Sequence, residues 1–159
     1  MTCQLLLLVG IPGSGKSYLA AQLVAAAPSR PLISTDAIRA ELFGAEIVQG
    51  DWLKVQAVVE QQFRQAVAMI QAGEATEAIY DATNASLDQR RNAIRLARNA
   101  GFTEITGLWL DTPLPLCLER NRQRQRQVPE DVILRMHHQL QAVPPAETDG
   151  FDRLLHLPE

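Results

Sequence analysis

An uninterrupted apolar run at residues 4–9 leads directly into Gly10-Ile11-Pro12-Gly13-Ser14-Gly15-Lys16-Ser17, and a helical pattern follows. No other stretch limits the possible folds so tightly. A short apolar run ended by glycine reads as a buried strand. An octapeptide of the form G-x-x-x-x-G-K-[ST] between a strand and a helix lets backbone N–H groups turn inward around an anion. The helix starting at Lys16 aims its N-terminus at the same anion. The expected ligand is a nucleoside triphosphate, ATP above all. Gly10, Pro12, Gly13, Ser14 and Gly15 form its cradle, Lys16 reaches the β and γ phosphates, and Ser17 ligates Mg²⁺.

Beyond this loop the chain alternates between strand and helix patterns. Strands are predicted at residues 31–34, 77–81, 104–110 and 151–157. Helices are predicted at residues 16–27, 36–43, 52–72, 87–99, 113–121 and 129–142. In the third of these, Val55, Val58, Val59, Phe63, Val67 and Ile70 recur at helical spacing. Pro113 and Pro129 suit helix starts, and Gly73 and Gly101 suit helix ends. Residues 45–51 read as a polar loop. Strands joined by helical crossovers build a parallel sheet covered on both faces. The expectation is one α/β domain over residues 1–159.

Composition removes several function classes. A formal net charge of −3 gives no bulk attraction to nucleic acid. Cys3 and Cys117, the only two cysteines, make neither a disulfide framework nor a metal site. A reducing, cytoplasmic compartment is expected, with no membrane segment and no obligate protein partner. His137, His138 and His156 lack companions at metal spacing and are assigned surface or packing roles. Trp109 is assigned to the core.

Ligands of such sheets bind beyond the C-terminal ends of the strands. Ser34-Thr35-Asp36-Ala37-Ile38-Arg39 follows the second strand. Asp36 there is either a helix cap or a base that takes a proton from an attacking hydroxyl. Arg39 lies one turn on and suits an anionic group of an acceptor. Asp81 ends the third strand. It is either the head of an Asx-turn or, if this strand neighbours the first, part of the Mg²⁺ shell beside Ser17. Thr83 and Asn84 are expected to shape the acceptor pocket, Asn84 alternatively to stabilise the turn. Arg90 and Arg91 face either acceptor phosphate or solvent.

Arginine outnumbers lysine thirteen to two, and four arginines fall at 120, 122, 124 and 126. Residues 121–129 read as a lid between two helices. Phosphoryl transfer needs water excluded and developing charge neutralised, and a basic loop closing over a triphosphate supplies both. Arg120 and Arg124 share a face if the helix continues; Arg122 and Arg126 point elsewhere.

Taken together, residues 10–17, Ser34-Thr35-Asp36 with Arg39, Asp81-Ala82-Thr83-Asn84 with Arg90 and Arg91, and Arg120-Asn121-x-x-Arg124 before Val128-Pro129 resemble the P-loop kinases related to polynucleotide 5′-hydroxyl kinase. These are also grouped as AAA-type ATP-binding domains of the kinase kind, related to zeta toxins. The resemblance covers about residues 4–145. It implies an adenylate-kinase-like three-layer α/β/α fold with a parallel sheet in the order 2-3-1-4-5 and a short arginine-rich lid. It also implies that Asp36 is the general base, that Arg39 contacts an acceptor phosphate, and that Arg120 and Arg124 grip the donor phosphates.

The expected activity is transfer of the γ-phosphoryl group of ATP, with Mg²⁺, to a hydroxyl acceptor. A 5′-hydroxyl nucleic acid end and a small molecule both stand as acceptors. An ATP hydrolase or nucleotide-dependent switch is the alternative.

Overall fold

The computed structural model describes residues 1–44 and 51–158. Five strands, β1 (Gln4–Val9), β2 (Leu32–Ser34), β3 (Glu77–Asp81), β4 (Glu104–Asp111) and β5 (Arg153–Pro158), form one sheet in the order β2-β3-β1-β4-β5. Every pairing is parallel. The helices are α1 (Lys16–Ala26), α2 (Thr35–Phe43), α3 (Trp52–Gln71), α4 (Leu87–Ala100), α5 (Leu114–Arg122) and α6 (Glu130–Ala142). This is the three-layer α/β/α arrangement of P-loop NTPases, with the expected strand order.

The central strand explains the layering. Side chains of a strand alternate between faces. Leu5, Leu7 and Val9 enter the larger core with Val59, Phe63 and Ile94 of α3 and α4. Leu6 and Leu8 enter a smaller core with Ala20 of α1. A strand buried on both faces must be apolar throughout, as residues 5–9 are. Phe63 stands edge-on to Tyr80 at 5.1 Å and to Phe102 at 5.7 Å, joining α3 to the sheet.

Helix boundaries follow local chemistry. Asp51 caps α3 through a bond from Leu53 N–H. Ser86 and Gln89 form a reciprocal capping box on α4, and Gly101 at φ +117° ends it. Residues 45–50, most of the predicted polar loop, lie outside the described residues. The last strand starts later than predicted. The Asp152 carboxylate accepts the Ile105 N–H at 2.7 Å, so a side chain occupies the first rung of the ladder. A short 3₁₀ turn, Glu147–Asp149, was not foreseen. Trp109 is only partly buried and stacks on His156 at 4.3 Å.

Candidate nucleotide and acceptor site

The β1–α1 loop lies where the central strand ends. Gly13 and Gly15 take φ values of +86° and +100°, which side chains beyond glycine resist. A Cβ at Gly13 would also collide with the Cys117 carbonyl of α5. Gly10 N–H donates to the Thr83 carbonyl at 3.0 Å. The Thr112 hydroxyl donates to the Ser14 carbonyl at 2.8 Å. The loop is thus held from β3 on one side and from the start of α5 on the other.

Inside this cradle the polar groups are short of partners. The Ser14 hydroxyl is buried and makes no hydrogen bond. Lys16 Nζ reaches the Ile11 carbonyl at a long 3.4 Å. Desolvation draws the Lys16 pKa below the ordinary lysine value; Asp81 and Asp36 oppose that fall, and Arg124 adds to it. Desolvation raises the Asp81 carboxyl above the usual range, against the pull of Lys16 and of a bond from Ser17. The Ser17 hydroxyl donates to Asp81 Oδ2 at 3.2 Å. An orphaned hydroxyl, an under-solvated ammonium and inward-turned glycines fit a phosphate chain. Among the described residues no group of three or more His, Cys, Asp or Glu is placed to cage a metal. The Ser17 hydroxyl and the Asp81 carboxylate make an oxygen pair of the kind that suits Mg²⁺, a cation that keeps most of its waters and needs few protein ligands.

At the end of β2 the two readings of Asp36 separate. Ser34 caps α2, its hydroxyl accepting the Ala37 N–H at 3.2 Å. Asp36 is therefore not needed as the cap. Its side chain is 56% exposed, and Arg39 approaches it at 3.4 Å. Arg39 itself is mostly buried, and its Nε has no partner among the described residues. A guanidinium held so loosely suits an anionic group brought by a ligand.

At the β3–α4 turn Asn84 takes the turn-stabilising alternative, and Arg90 takes neither of its expected places. Asn84 is buried, in the left-handed region at φ +51°. Its amide donates to the Leu8 carbonyl at 2.8 Å and so fastens the turn to β1. Thr83 contributes its carbonyl to Gly10, and its side chain is partly exposed. Arg90 faces neither acceptor nor solvent. It is fully buried against Asp149 at 2.7 Å and donates to the carbonyls of Ala85 and Val143 at 3.0 and 2.7 Å. Arg91 is exposed on the first turns of α4.

Arg120 donates to the Gly13 carbonyl at 3.1 Å, directly on the phosphate loop. Arg124 lies on the exposed stretch after α5, yet its charge acts on Lys16. Arg122 is turned to Glu130 in a two-point pair of 2.8 and 3.2 Å. Asn121, read only as part of the lid, is fully buried and bonded to Val128. Its sequence signals are a carboxamide at a helix end and its place between Arg120 and Arg124 in the motif that precedes Val128-Pro129.

Beside the loop opens a pocket of about 500 Å³. Leu19, Leu110, Leu157 and Pro158 wall it, with Ser14 and Arg120 at its phosphate end. Such a volume and lining suit a nucleoside. Tyr18 stands on its rim, 70% exposed, and accepts a bond from Gln22 at 2.7 Å. Asp111 and His156 pair at 2.8 Å at the ends of β4 and β5. No helix among the described residues is long and apolar enough to cross a membrane.

The fold and this loop define a domain of the P-loop NTPase fold. The sequence matches the AAA domain family over residues 5–143, and the chain belongs to that family. No curated protein matches it significantly. Among solved structures, a chain of the Pnkp1/Rnl/Hen1 RNA repair complex superposes with a TM-score of 0.72 at 23% identity, covering 89% of this chain. The present chain spans only 45% of that one. A sugar kinase from Janibacter sp. HTCC2649 gives a TM-score of 0.67 at 18% identity, covering 99% of this chain and 86% of its own. A fungal RNA kinase gives 0.67 at 15% identity, covering 99% of this chain and 75% of its own. At these identities the likeness is one of fold.

Proposed function

We propose that this protein is a kinase that moves the γ-phosphoryl group of ATP to the hydroxyl of an anionic acceptor, with a polynucleotide 5′-hydroxyl as the leading candidate. One observation carries the reading. Asp36 is relieved of capping by Ser34 and stands exposed at the strand ends, close enough to Lys16 for their charges to interact.

In this reading Asp36 accepts the proton of the attacking hydroxyl as its oxygen bonds to the γ phosphorus and the bond from that phosphorus to the β–γ bridging oxygen breaks, so that ADP leaves. Arg39 holds an anionic group of the acceptor beside it. Lys16, Arg120 and Arg124 meet the charge that develops on the transferring group. Mg²⁺, held by Ser17 and Asp81, neutralises charge on the donor phosphates when bound. The nucleoside lies in the pocket beside Leu110 and Leu157. RNA-acting structures among the neighbours support a nucleic acid acceptor; the sugar kinase keeps a small hydroxyl compound as the second candidate.

The test offers labelled ATP with 5′-hydroxyl oligonucleotides and, separately, with small hydroxylated metabolites. Label transferred to the oligonucleotide, and lost in Asp36→Asn, supports the leading reading. Label on a small compound alone moves the assignment to a metabolite kinase. Free phosphate as the sole product, unchanged in Asp36→Asn, points to a hydrolase or switch.

A further inference from the structure

We propose that Asn121 is the positioning residue of the arginine lid: its buried carboxamide ties the loop shut at its base and holds Arg120 and Arg124 at the phosphate loop before nucleotide arrives. The inference rests on the donor-site reading above and adds a residue to it.

Residues 123–127 are all exposed and consist of glutamine and arginine. A tip of that composition has no apolar reason to keep one shape. Its order comes from below. Asn121 Nδ2 donates to the Val128 carbonyl at 2.8 Å, and Asn121 Oδ1 accepts the Val128 N–H at 3.0 Å. These are the donor and acceptor that a neighbouring strand residue would present, supplied by one side chain. Val128 in turn packs against the core. Gln127 Nε2 bonds the Arg122 carbonyl at 2.9 Å, and Arg124 N–H bonds the Asn121 carbonyl at 3.2 Å. The Arg122–Glu130 pair adds a second, exposed tie, which salt would weaken. The carboxamide is the tie that water and salt do not reach.

Position gives the clamp its functional meaning. Asn121 immediately follows Arg120, which touches the Gly13 carbonyl at 3.1 Å. Arg124 follows three residues after Asn121, and its charge acts on Lys16 in the direction that lowers the lysine pKa. Releasing Val128 frees the C-terminal end of the loop and lets the Arg124 guanidinium leave, and it loosens the last turn of α5, which carries Arg120. Holding them in place in advance removes an ordering cost from nucleotide binding.

The experiment uses the full chain, Asn121→Ala and Asn121→Asp. Trypsin cleavage after Arg122, Arg124 and Arg126, without nucleotide, reads the clamp. Calorimetric affinity for Mg²⁺ with β,γ-imido-ATP reads its effect on the donor site. Asn121→Ala is expected to be cut in the lid faster by about tenfold and to bind the analogue more weakly by a similar factor, the size expected for losing a buried hydrogen-bonded pair.

Asn121→Asp keeps the shape but at neutral pH cannot donate to the Val128 carbonyl. Once protonated it can. Its affinity relative to wild type is expected to recover as pH falls from about 8 to about 5.5, because burial raises a carboxyl pKa. A merely structural asparagine would not tie nucleotide affinity to that proton.

Unchanged lid cleavage in Asn121→Ala overturns the clamp. Faster cleavage with wild-type affinity overturns the positioning role. Should the alanine variant fail to fold, a pH-independent affinity ratio for Asn121→Asp overturns the proposal by itself. If the wild type does not bind the analogue, the donor-site reading fails and the positioning role with it; the cleavage arm still separates that failure from one of the clamp.

Discussion

Ser17 and Asp81, which lie 64 positions apart, meet at 3.2 Å between the first turn of α1 and the end of β3. The contact exists because β3 pairs directly with β1, bringing the carboxylate beside the helix that leaves the phosphate loop. A hydroxyl and a partly desolvated carboxylate side by side suit one hard cation.

Asp81→Asn is accordingly expected to weaken Mg²⁺-dependent nucleotide affinity by about 10–100-fold, the range for residues that orient a metal site. Nucleotide affinity without the cation should change far less. Calorimetry with and without Mg²⁺ separates the two, and equal losses in both would sink the metal role.

Lys16 predicts a pH dependence. Its lowered pKa means the folded protein gives up this proton below the ordinary lysine value of about 10.4. Phosphate needs the charged form, so affinity for β,γ-imido-ATP falls as pH rises through that lowered pKa. Stability of the free protein moves the other way. In the window between the folded and unfolded values the unfolded chain binds more protons at this group, so its contribution to stability rises with pH. Asp81 contributes the reverse on the acid side. Its raised pKa makes the folded state the better proton binder above the unfolded aspartate value, so stability falls there as pH rises. Affinity that stays flat through the alkaline range would contradict the Lys16 reading.

Asp36 and Ser34 separate chemistry from stability on one helix turn. Asp36→Asn should lower kcat by about 10²–10⁴-fold with little change in Tm, since Ser34 makes the cap. Ser34→Ala should cost about 1 kcal/mol of stability. Urea unfolding and the transfer assay on both variants check the pair.

Arg90 is expected to matter for folding. Arg90→Ala leaves Asp149 buried without its partner and should cost about 3–5 kcal/mol in urea unfolding. A loss under about 1 kcal/mol, the size typical of an exposed pair, would contradict the buried geometry.

The parts legible in the sequence share a physical cause. The strand, loop and first helix announce themselves because apolar runs, glycines at forced φ and a lysine at fixed spacing are local signals. The strand order and the nearness of Ser17 to Asp81 followed from that pattern and the resemblance it carried. Arg90 was illegible because its partner Asp149 lies 59 positions away in a turn with no periodic signal. Asn84 reads the same locally whether its amide faces a ligand or a neighbouring strand; only the Leu8 carbonyl decides. Asn121 was hidden by the charges around it.

The turn after β3 has one further consequence. Asn84 grips the Leu8 carbonyl, and Thr83 takes the Gly10 N–H, so both ends of the strand-to-loop junction hang from the β3–α4 turn, whose partly exposed Thr83 is the residue expected to face the acceptor. An acceptor that displaces this turn changes nucleotide affinity, and linkage then requires nucleotide to change acceptor affinity by the same factor. Substrate synergy of that kind, read from nucleotide titrations at fixed acceptor concentrations, would be a property of three backbone hydrogen-bonding groups and one carboxamide, with no moving domain required.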